Sequence, residues 1–122
     1  MNGIMGMGIG LVVFCAVASG AAAAECRSIG GHLNGQLVKA TRHVELKPKS
    51  MTVSGTLNGK RSPRQSLPCR TIAKGVYCET QFQGVIVTIQ TNGRRMIEAV
   101  TDPSSRRELA SFAYECDRVM KP

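Results

Sequence analysis

Several stretches between residues 44 and 100 return to the same face at every second residue. Val44 and Leu46 alternate weakly with polar neighbours, and Met51, Val53 and Leu57 do so more clearly, with Gly55 continuing their face. That is the period of a strand with one side buried. The strongest case is Gly84-Val-Ile-Val-Thr-Ile-Gln-Thr91, β-branched through its centre and followed by Asn92-Gly93 and Arg94-Arg-Met-Ile-Glu-Ala-Val100. A two-residue Asn-Gly turn predicts Val85 against Val100, Val87 against Glu98 and Ile89 against Met96. Asn-Gly recurs at Asn34-Gly35 and Asn58-Gly59, each marking another hairpin.

Two segments depart from this rhythm. Gly59-Lys-Arg-Ser-Pro-Arg-Gln-Ser-Leu-Pro68 carries two prolines, which remove ladder donors, and reads as an exposed loop. Toward the C-terminus, Leu109, Phe112, Ala113, Cys116, Val119 and Met120 share one helical face. Ser105 with Glu108 has the spacing of a capping box after the turn at Asp102-Pro103. A strand competes there, because Phe112, Tyr114 and Cys116 also alternate. The fold class expected is α+β: a small antiparallel sheet of five or six strands with one C-terminal helix, stapled by disulfides. An all-β barrel or sandwich is the alternative.

The first 24 residues hold no charged side chain, and the apolar run Ile9–Val17 leads into Ala21-Ala22-Ala23-Ala24 before the polar Glu25-Cys26-Arg27. Small residues at Ala22 and Ala24 match a cleaved export signal. The run is about 20 residues, long enough to span a bilayer, so a retained anchor is the rival reading; its glycines, its alanines and the lack of a basic stop-transfer cluster weigh against that. Phe14 before Cys15 disfavours lipid attachment. The expected organisation is an export signal over 1–24 and one small domain over 25–122, periplasmic or secreted, touching a membrane only transiently through the signal.

Outside the cytosol disulfides persist, and Cys26, Cys69, Cys78 and Cys116 are an even set once Cys15 has left. Cys69–Cys78 is expected across a hairpin turning near Ala73 to Gly75, with Gly75 supplying a positive φ. Cys26–Cys116 would then tie the ends of the domain together. In the chain-entropy view the short loop contributes about 2.5–3 kcal/mol and the long one about 4–5 kcal/mol. With no C-x-x-C pair and no ligand spacing for His32 or His43, neither a metal site nor any cofactor is expected.

Charge changes the functional picture. Residues 39–74 hold nine basic side chains and one acidic, Glu45, which accounts for the net charge of +8 of the whole chain. A polyanion-facing surface follows if these residues cluster in space; otherwise they are solvated decoration. Lys60, Arg61, Arg64, Arg70 and Lys74 are the candidate binding residues. Residues 39–74 contain no Phe, Tyr or Trp, so base stacking and specific nucleic-acid recognition are not expected. No nucleophile elbow or phosphate loop is present, and no enzyme is expected. Ser54-Gly55 and Lys74-Gly75 are similar to short elements of bacterial inhibitors of animal-type lysozyme. The tryptophan and tyrosines that accompany those elements are missing, and the chain continues too far past Gly75, so membership does not follow. The leading expectation is an exported non-enzymatic protein binding an anionic envelope polymer or surface, or a protein partner, through the basic region. The alternatives are an enzyme inhibitor acting through the 59–68 loop and a structural subunit of an envelope complex.

Overall fold

The computed structural model describes residues 22–121; the apolar segment up to residue 21 lies outside the described residues. Nine strands follow in chain order: β1 Ala22–Leu33, β2 Gln36–Leu37, β3 Ala40–Lys47, β4 Ser50–Leu57, β5 Lys60–Ile72, β6 Gly75–Phe82, β7 Val85–Asn92, β8 Arg95–Thr101 and β9 Glu108–Cys116. Apart from the two-residue β2, each strand pairs antiparallel with the next, and β9 returns to pair with β1. The result is a closed eight-stranded meander barrel with β2 as an extra strand on β1. The long β1 makes closure possible: Ala22–Arg27 pairs with β3 while Cys26–Leu33 pairs with β9.

Eight strands enclose an interior just wide enough for side chains to fill. Leu46, Met51, Leu67, Ile89, Met96 and Tyr114 fill it, each fully buried. Burial of a side chain of this size contributes about 1.5–3 kcal/mol. Outward positions are polar along β3 and β4 (Thr41, His43, Glu45; Thr52, Ser54, Thr56), as the burial alternation requires. Along β3 and β4 the side facing in is mainly apolar and the side facing out is polar, the reverse of the barrels that cross outer membranes.

The barrel overturns the α+β expectation. The C-terminal segment is strand β9, with Ala110, Phe112, Tyr114 and Cys116 buried and their neighbours outward. Period two prevails over the helical match because β8 and β1 both need an antiparallel partner, and β9 supplies both edges. Ser105 caps no helix; its hydroxyl donates to Asp102 in the β8–β9 loop at 2.8 Å.

The 59–68 segment is likewise no loop, since Lys60–Pro68 pairs with β4. Val53 faces Gln65 and Gly55 faces Ser62, so Ser54 stands opposite both Pro63 and Arg64. Pro63 is accommodated in that bulge, where no ladder donor is required of it. Beyond Pro68, β5 leaves β4 and pairs with β6 over four positions only, Cys69–Ile72.

Both disulfides form as expected, Cys26–Cys116 and Cys69–Cys78. The turn details differ. Asn34-Gly35 and Asn58-Gly59 are left-handed at both residues, and so is Gln83-Gly84, which carries the β6–β7 turn. At Asn92 the turn is centred one residue later, on Gly93-Arg94, so Val87 faces Val100 and Ile89 faces Glu98; the faces survive while the partners move. Gly75 has no positive φ. It is required instead by a close approach: a Cβ there would lie 2.0 Å from the Thr91 carbonyl oxygen.

Candidate functional site

Arg42 sits on the inward face of β3, in the row Ala40, Arg42, Val44, Leu46. Its β4 neighbour is Gly55 and the next residue across is Ser62 on β5. Gly55 is fixed by packing, because a Cβ would fall 1.9 Å from the Thr41 carbonyl oxygen. With no side chain in between, Nη1 of Arg42 reaches across the row to the Thr56 carbonyl and the Ser62 hydroxyl, both at 3.5 Å, and donates to the Thr41 carbonyl at 3.0 Å. Its other edge faces Glu98 of β8, Nε donating to Oε1 at 3.1 Å and Nη2 to Oε2 at 3.5 Å. Tyr114 Oη donates to the same Oε1 at 2.7 Å. Burial, followed by the Glu98 charge, pushes the Tyr114 phenol far above its ordinary value of 10.0.

An open cleft of about 460 Å³ lies over the β4–β5 bulge, lined by Ser54, Gly55, Thr56, Arg61, Ser62 and Arg64; Arg42 reaches two of these residues, Thr56 and Ser62, from the inner side of the wall. The bulge gives the cleft its composition. It places Arg64 and Pro63 together opposite Ser54, while Arg61 pairs with Thr56 on the same wall. Neither arginine is engaged in an ion pair among the described residues, and none of the lining residues is acidic. The Ser62 hydroxyl is turned inward to Arg42 and the Thr56 hydroxyl is bonded to Thr41 at 2.7 Å, so two free guanidinium forks beside the Ser54 hydroxyl are the donors suited to an oxyanion.

The five sequence-predicted binding residues do not form one patch. Lys60 precedes Arg61 at the end of the barrel that carries the Asn58-Gly59 turn, outside the cleft lining. Arg70 lies further along β5, its guanidinium 5.1 Å over the Tyr77 ring, and Tyr77 donates to Glu79 at 2.6 Å. That hydrogen bond, with burial, raises the Tyr77 phenol. Lys74 occupies the turn at the opposite end, ten residues from Arg64 and so roughly 30 Å along the strand direction. Ser54-Gly55 and Lys74-Gly75 are separated in the same way.

The sequence reading missed the buried Arg42–Glu98–Tyr114 network. The signal was present: Arg42 and Glu98 each interrupt an inward row of apolar residues. A second hollow of about 430 Å³ beside β2 is lined by Ile29, Val38 and Leu37 among others; Leu37 is 89% exposed.

Comparison with known proteins adds no relationship: no protein-family model matches this chain, and neither does any curated protein or any solved structure.

Proposed function

We propose that this chain is an exported, non-enzymatic binding protein whose Arg61–Arg64 cleft takes an anionic group of an envelope or extracellular polymer, with Lys60 extending the attraction along the rim. The observation that carries the reading is the gathering of two unpaired arginines in one cleft free of lining carboxylates. Guanidinium groups bind phosphate, sulfate and carboxylate through paired N–H donors. The two disulfides suit an oxidising compartment outside the cytosol. Exposed charge of this kind also speeds encounter with a polyanion and loses its reach as salt is added.

The test compares the oxidised wild type with Arg61→Gln/Arg64→Gln and with Lys49→Gln/Lys74→Gln, on immobilised lipopolysaccharide and on heparin, at low and high salt. Each variant loses two charges. The arginine variant should bind at least about tenfold more weakly at low salt, and the lysine variant should stay within about threefold of wild type. Equal losses in the two would mean that net charge alone governs binding, and no loss in either would remove the cleft from consideration. Recovery of one stoichiometric enzyme on the wild type would favour an inhibitor instead.

A further inference from the structure

Glu25 and Asp117 hold each other through the backbone. The Glu25 N–H donates to Asp117 Oδ1 at 3.0 Å, and the Asp117 N–H donates to the Glu25 carbonyl at 2.9 Å. The peptide bond just before that Glu25 nitrogen is Ala24–Glu25, the bond that the small residues Ala22 and Ala24 mark for removal of an export segment. We propose that Asp117 is the built receptor for the amino terminus that this cleavage releases. Water adds across the Ala24–Glu25 bond, the Ala24 carboxylate departs with the leader, and the Glu25 nitrogen becomes an α-ammonium facing the Asp117 carboxylate. The N–H hydrogen bond to the carboxylate is thereby replaced by an ion pair whose ammonium has three donors available.

The rest of β1 is arranged to tolerate the cut. Ala22, Ala23 and Ala24 pair only with Leu46, Glu45 and Val44 of β3. The ladder that closes the barrel against β9 begins at Cys26 opposite Cys116. Cleavage therefore removes three β3 pairings and the buried methyl of Ala24, and leaves both disulfides and the whole β9 ladder in place. The Cys26–Cys116 bond lies directly beside the new terminus, so the amine is already positioned against Asp117.

The surrounding charges leave the site to Asp117. The Glu25 carboxylate is engaged by His43, which also meets Glu45. Arg94 Nε donates to the Cys116 carbonyl and Arg95 pairs with Glu115. Arg27 follows on β1 with no ion pair among the described residues. Arg118 is the competing cation, its Nε 3.8 Å from Asp117 Oδ1 and well exposed.

The protein exported from a host carrying the full chain is first weighed intact; it should begin at Glu25 and lack the four hydrogens lost to two disulfides. Its α-amine is then labelled with a small amine-reactive ester at neutral pH. The rate is compared with that of Asp117→Asn and with that of a folded chain made to begin at Ala22. Amine labelling requires the free base, and one unit on the amine pKa changes its population about tenfold. The wild-type terminus should label about tenfold more slowly than both comparators. A terminus other than Glu25, or a wild-type rate equal to that of the Ala22-start chain, overturns the proposal. The latter comparison stands even if Asp117→Asn does not fold. Neither result depends on what the Arg61–Arg64 cleft binds.

Discussion

Glu98 and Arg42 occupy positions that their strands otherwise give to apolar side chains, and each is tolerated only because the other is present. Their side chains are 4% and 9% exposed, so removing one leaves a desolvated charge without its counterion. Glu98→Ala should cost about 3–5 kcal/mol in urea unfolding, and it strands the Tyr114 hydroxyl as well. Arg42→Met/Glu98→Leu should cost clearly less than the sum of the single changes, because the two sites share one interaction. Strict additivity would show that the pair is energetically uncoupled. His43 gives a pH-dependent counterpart on the surface. Its hydrogen bond to Glu25, opposed by desolvation and aided by Glu45, raises its pKa above the ordinary 6.5. A raised folded-state value means that the contribution is fully present below about pH 6.5 and disappears as pH climbs through the folded value. The Tm advantage of wild type over His43→Gln should therefore be larger at pH 5.5 than at pH 8.5. An advantage that grows with pH would contradict the assigned pairing.

At the level of elements, Gly55 is where one missing side chain determines several contacts. It lets β3 and β4 approach, opens the path of Arg42 to Ser62, and lies within the cleft lining. Gly55→Ala should cost more than the roughly 1–3 kcal/mol typical of overpacking, because the obstacle is the Thr41 backbone oxygen rather than a movable side chain. Gly30→Ala meets nothing within 4 Å and should be nearly neutral; thermal unfolding of the two variants checks the contrast. The strands β3, β4, β7 and β8 were legible in the sequence from their alternation, most clearly around the Asn92-Gly93 turn, whereas the hairpin across Cys69 and Cys78 was legible from the spacing of its cysteines, the role given to Gly75 being wrong. The C-terminal segment was not, since Leu109, Phe112, Ala113 and Cys116 satisfy both periods and only the closing neighbours decide between them. The prolines of β5 misled because a bulge, which no local rule announces, takes Pro63 out of the ladder. Only Arg61 and Arg64 of the six residues lining the candidate site were foreseeable, from charge. Its separation from Arg70 and Lys74 was not, because sequence proximity along an extended strand is distance in space.

On the scale of the whole molecule, the barrel is a simple meander whose last strand must find its first. Nearly every ladder joins neighbours in sequence, but β9–β1 closure brings together residues 90 apart at Cys26 and Cys116. Such a contact is reached late, since most of the chain must be ordered before it gains anything. Losing the Cys26–Cys116 bridge should therefore destabilise more than losing Cys69–Cys78; replacing each pair with Ala and comparing urea midpoints checks this, and the reverse order would count against loop size as the dominant effect. The nested arrangement of the two bridges also has a consequence for the order in which thiols meet. If the chain is exported N-terminus first, as proposed, Cys26 would meet the oxidant first, then Cys69, then Cys78, and only at the end Cys116. The first partner Cys26 encounters is thus a wrong one, so rapid oxidation during delivery favours a Cys26–Cys69 crosslink. Correct assembly then depends on Cys78 arriving in time to claim Cys69 across the short hairpin, or on a thiol exchange that returns Cys26 to wait for the closing strand.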